Sequence, residues 1–111
     1  MSAQDRKSYR LESDQFISYR LYDSEGRVCD EGMAKTKDIS RTGVAVENRT
    51  TMKVGAKIDM TMALTEDLVK LSGVVRNVDK ADDLFNIGIE FSEVSDAEFA
   101  KISKEFPEIL K

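Results

Sequence analysis

From Phe16 onward the chain alternates between apolar and polar positions. Ile17, Tyr19 and Leu21 fall on one side, and Phe16, Ser18, Arg20 and Tyr22 on the other, the period of two expected of a half-buried strand. Asp23-Ser24-Glu25-Gly26 reads as a turn. Val28 and Cys29 predict a short strand, Glu31-Gly32 a second turn, and Met33 to Lys37 an extended run leading into Asp38-Ile39-Ser40-Arg41-Thr42-Gly43. Val44 and Val46 predict a strand to about Glu47, followed by a loop over 48–55. Ile58, Met60, Met62 and Leu64 alternate, and Glu66-Asp67 reverses the chain. In the next strand Val69, Leu71, Gly73 and Val75 share one face, with Val74, Arg76 and Val78 on the other. Residues 79–83 read as a charged turn, and Phe85, Ile87, Ile89 and Phe91 mark the last strand.

The period then lengthens. Ser95-Asp96-Ala97-Glu98 has the S-x-x-E form of a capping box, and Phe99, Ile102 and Phe106 follow at helical spacing. Pro107 ends that helix near Phe106, and Ile109 and Leu110 are expected to fold back onto the body. Residues 1–15 are polar and without period, and read as an arm. The pattern therefore predicts about six or seven short strands and one helix, a small antiparallel barrel or sandwich with the helix over one end.

Composition narrows the chemistry. The chain has 111 residues, 41% hydrophobic and 34% charged, enough for one domain with a real core. It contains no histidine, which removes Ser-His and Cys-His nucleophile pairs and the commonest metal ligand. A single cysteine, Cys29, forms neither an internal disulfide nor a thiolate zinc site, and is expected to pack as a small hydrophobe. Ser95 and Glu98 are explained by the helix cap, so no convincing nucleophile with a base remains and an enzyme is not expected. No apolar run reaches the length of a membrane span, and no signal-like segment opens the chain, so membrane insertion is not expected and a cytoplasmic location is. The net charge of −4 argues against binding a nucleic acid polymer, which needs a basic footprint. The cations nevertheless cluster locally, at Arg6, Lys7 and Arg10 and again at Lys35, Lys37 and Arg41, and a small anion needs no more than that.

Two motifs sit in these basic stretches. Arg6-Lys7-Ser8-Tyr9-Arg10 is an R-x-x-x-R whose two guanidiniums can converge on one ligand. Each offers a planar fork of donors suited to phosphate oxygens and to the O6/N7 edge of guanine, and a face that stacks on a purine. Asp38-Ile39-Ser40-Arg41-Thr42-Gly43 is a D-x-S-x-x-G in a loop between strands. Its carboxylate can accept from guanine N1–H and N2–H₂, its hydroxyl can reach ribose or phosphate, and its glycine lets a ligand approach the backbone. Alone, the first motif also describes a solvated basic arm and the second a capped turn.

Together, in a small β chain, they resemble the PilZ family, and Leu71-Ser72-Gly73-Val74-Val75-Arg76 and Ile87-Gly88-Ile89-Glu90-Phe91 are similar to that family's later strands. The resemblance implies an all-β fold: a six-stranded antiparallel β-barrel over 16–92, a flexible ligand-binding arm over 1–15 and a C-terminal helix over 95–106, in one domain. It implies no cofactor and one ligand, cyclic di-GMP. Arg6 and Arg10 match the arginines that grip guanine and phosphate; Asp38, Ser40 and Gly43 match the loop that meets a guanine edge and the ligand backbone. Arg76 stands where some members stack an aromatic ring on a base, and a guanidinium plane could serve instead. Asp5 departs from the family, which often has a basic residue there; a carboxylate at that point favours one ligand per chain over two. With no output domain attached, such a chain would signal in trans to an unidentified effector protein. A PilZ-fold adaptor that binds protein and no nucleotide is the alternative.

Overall fold

The computed structural model describes residues 11–110. Its strands are β1 (Leu11–Glu12), β2 (Phe16–Tyr22), β3 (Val28–Ile39), β4 (Gly43–Asn48), β5 (Lys57–Ala63), β6 (Leu68–Ala81) and β7 (Leu84–Glu93), followed by helix α1 (Asp96–Glu105) and a 3-10 turn over Pro107–Leu110. All pairings are antiparallel, in the order β3-β2-β5-β6-β7-β4, and β4 returns to β3, so six strands close a barrel. Closure leaves no free sheet edge along those strands. β1 continues the line of β2 along β3, with Leu11 opposite Ile39 and Glu12 opposite Asp38.

The inward positions fill the barrel. Ile17, Val44, Val46, Met62, Val69, Val75 and Ile87 are fully buried, as expected for a barrel too narrow to hold anything but side chains. Burying each such side chain stabilises the fold by ~1.5–3 kcal/mol before chain entropy is counted. α1 closes one end with Ile102 buried and Phe99 and Phe106 half-buried against the core; Ile109 folds back and is buried. The Ser95 side chain caps the helix by accepting from the Glu98 N–H at 3.1 Å. Glu98 directs its own carboxylate to the Lys70 N–H at 3.0 Å and so fastens α1 to β6. No helix among the described residues is long and apolar enough to cross a membrane.

Four expectations need correction. Glu31-Gly32 is not a turn: β3 runs unbroken through it, with Gly32 opposite Tyr19 and the ring lying over the glycine, where a Cβ would stand 3.3 Å from the tyrosine oxygen. Cys29 is exposed, because it is the extra residue where β2 and β3 slip register, Leu21 pairing with Asp30 and Tyr22 with Val28. The charged turn at 79–83 shrinks to Asp82-Asp83, because β6 and β7 stay paired out to Ala81 and Leu84. Val78 is not on the face opposite Val75; a bulge at Arg76 resets the phase and Val78 packs against the core.

The polar segment read as an arm is, over its described part, joined to the barrel. Ser13 Oγ donates to Thr36 Oγ1 at 2.8 Å, the Gln15 N–H donates to the same oxygen at 2.8 Å, and the Thr36 N–H donates to Gln15 O at 2.8 Å. Lys35 adds an ion pair with Asp14 at 2.9 Å, which raises the pKa of its ammonium above the ordinary lysine value.

Candidate functional site

A bulge in β3 builds the first wall of the site. Ala34 and Thr36 point inward, and strict alternation would send Asp38 into the core after them. Instead the register slips between Thr36 and Asp38, so Ile39 takes the buried position and Asp38 is left half-buried at the barrel's outer surface. The loop that follows is held from inside by Ser40, which is fully buried. Its Oγ accepts from the Thr42 and Gly43 N–H groups at 3.2 Å each, and its N–H donates to Gly43 O at 2.9 Å. Gly43 then begins β4 against β7 so closely that a Cβ would stand 2.3 Å from Ile89 O. No side chain fits there, and the Phe91 N–H donates to Thr42 O at 2.8 Å to lock the loop to β7.

The outer face of β4, β7 and β6 forms a cleft of about 590 Å³ beside this loop. Its floor is made of small residues: Gly43 and Ala45 on β4, and Gly88, which pairs with Ala45, on β7 and lies under the Asn77 side chain, whose Oδ1 a Cβ there would meet at 2.5 Å. On the β4 side such a floor leaves room for a flat ligand. Asp38 and Lys37 rise on the β3 side. On the β6 side the bulge between Val75 and Asn77 leaves Arg76 outside the ladder and over the cleft, where its Nε donates to Glu90 Oε1 at 2.6 Å. Outside the cleft, the Arg41 guanidinium lies 6.0 Å from the centre of the Phe99 ring, so the loop also touches α1.

Of the residues singled out in the sequence, Asp38, Gly43 and Arg76 converge on this one cleft. Ser40 stands behind its wall, engaged with the loop's own backbone. Arg6, Arg10 and Asp5 lie outside the described residues, whereas β1 sets Leu11 directly opposite Ile39 at the root of the loop. The sequence reading missed Glu90, Asn77, Asn86 and Asp79. The alternation of Phe85 to Phe91 puts 86, 88 and 90 on the outer face, but only the distant pairing of β4 with β7 brings that face beside Asp38.

A small closed barrel with a loop-walled cleft on its outer surface is thus the class of protein. The family model described as the PilZ domain matches residues 4–105, and the chain belongs to the PilZ family. No curated protein sequence matches it. Among solved structures it is similar in fold to the Bacillus subtilis inhibitor of motility (MotI/DgrA), with a TM-score of 0.74 and 17% identity over 95% of this chain and 51% of that one. The PilZ domain of YcgR from Escherichia coli, solved with c-di-GMP, gives 0.69 and 11% over 92% and 89%. The K. pneumonia MrkH–c-di-GMP complex gives 0.69 and 18% over 95% and 51%. The present chain spans about half the length of MotI and of MrkH.

Proposed function

We propose that this chain is a bacterial cyclic di-GMP receptor that signals in trans to an effector protein from the cytoplasm. The observation that carries the reading is the convergence of Asp38, Gly43 and Arg76 on a small-residue floor, next to the point where β1 delivers the chain from the R-x-x-x-R segment. YcgR and MrkH, both solved with c-di-GMP, share the fold and support it.

The roles follow from the chemistry. The Asp38 carboxylate accepts from guanine N1–H and N2–H₂. Arg6 and Arg10 bring planar donor forks to the phosphates and to guanine O6 and N7. Gly43 lets the ligand approach the backbone, and Arg76 offers its guanidinium plane to a base and its N–H donors to a phosphate. Ser40 acts indirectly, by keeping the loop in shape. Ligand bridging the arginines to the loop draws the N-terminal segment onto the barrel, and that changes the surface an effector meets. Asp5 adds a negative charge beside the arginines and limits binding to one ligand per chain.

Calorimetric titration of cyclic di-GMP into the wild-type chain and into Asp38→Ala tests the site. Saturable binding that Asp38→Ala weakens at least tenfold supports the receptor reading. No binding by a folded wild-type chain removes it and puts the nucleotide-free adaptor in its place.

A further inference from the structure

Besides Asp79, the lining of the cleft holds a second carboxylate that an anion receptor would not be expected to contain, that of Glu90. Its backbone is pinned from both sides. β7 runs between Gly43 of β4 and Gly73 of β6, and a Cβ would come within 2.3 Å of Ile89 O at Gly43 and within 2.5 Å of Glu90 O at Gly73. β7 is packed closely against both neighbours, and the Glu90 side chain leaves the middle of the floor. There its Oε1 accepts from Arg76 Nε. Among the described residues this is the only ion pair whose two members both line the cleft.

The pair does little for the fold. Its side chains are 57% and 51% exposed, so solvent screens their attraction, and no core residue depends on it. Its consequence is local. It occupies the cation of the cleft's β6 side, and it places a carboxylate where a ligand with two phosphodiesters must come close.

We propose that Glu90 sets the receptor's affinity by competing with the ligand for Arg76, so that binding requires the Arg76–Glu90 pair to open. This rests on the reading of the cleft as a cyclic dinucleotide site. A carboxylate at this position lowers affinity for any polyanion, and keeps the site empty until ligand is abundant. A ligand phosphate and the Glu90 carboxylate are then alternatives for the same N–H donors of one guanidinium.

The test is titration of cyclic di-GMP into wild type, Glu90→Gln, Arg76→Ala and the double variant, at low and high salt, with circular dichroism to confirm that each is folded. Glu90→Gln keeps the shape and removes the charge. The expected result is binding roughly three- to tenfold tighter than wild type at low salt, with the gain shrinking at high salt. Arg76→Ala binds more weakly, and adding Glu90→Gln to it recovers less than the single change gains, because the contested cation is gone. Equal or weaker binding by Glu90→Gln overturns the role of Glu90 while leaving the receptor reading intact. Binding by none of the four folded chains overturns both.

Discussion

Ser40 shows how a residue can govern a site without facing it. Its hydroxyl is fully buried and serves two backbone N–H groups, so Ser40→Ala would leave both without that acceptor. The expected loss is ~1–3 kcal/mol in chemical denaturation, together with weaker cyclic di-GMP binding, although no ligand atom need touch the side chain. Gly43 is stricter. A Cβ there would stand only 2.3 Å from Ile89 O, so Gly43→Ala must push β4 from β7. We expect ~2 kcal/mol or more of destabilisation and a cleft too distorted to bind; an unchanged denaturation midpoint would contradict the packing described for this pair. Both residues are legible in the sequence as members of a loop motif, but their division of labour is not. The motif alone points Ser40 at the ligand, and only the path of the loop shows it turned inward.

At the scale of the element, the legible strands are the regular ones. β2 and β5 keep the period of two for their whole length, and the burial of Ile17, Tyr19, Leu21, Ile58, Met60 and Met62 follows it residue by residue. Beyond the slips at Cys29 and at Ser72–Gly73, β3 bulges at Thr36–Asp38 and β6 at Val75–Asn77, and such bulges break the period on which the reading depends. Those two bulges are what put Asp38 and Arg76 at the cleft, so the features hardest to read are the ones that make the site. α1 is readable from its cap and apolar stripe. Ser95→Ala should cost ~1 kcal/mol of stability and leave cyclic di-GMP affinity unchanged, since the cap is exposed and is not among the cleft residues. A matching loss of affinity would show that the helix, through Phe99 and Arg41, takes part in binding.

At the scale of the whole molecule, a closed barrel carries β1 beside the root of the loop, with Leu11 opposite Ile39. Closure of the barrel is not legible in the sequence, because it depends on the pairing of β4 with the distant β7, which no local pattern specifies. It matters for function, since it sets β7, with Gly88 and Glu90, beside the loop from Asp38 to Gly43, whose own two strands are paired with each other as its base. If ligand draws Arg6 and Arg10 onto that base, amide hydrogen exchange across residues 4–12 slows when cyclic di-GMP is added, and β2 and β5 exchange as before. Equal exchange in 4–12 with and without ligand would rule out the proposed transmission to an effector.

The central claim is that the two motifs form one cyclic di-GMP site. Calorimetric titration of the wild-type chain beside the Arg6→Ala/Arg10→Ala variant tests it most directly. Saturable binding at one ligand per chain is expected, abolished in the double variant while its thermal midpoint is unchanged. Undiminished binding by the double variant, or none by folded wild type, would contradict it.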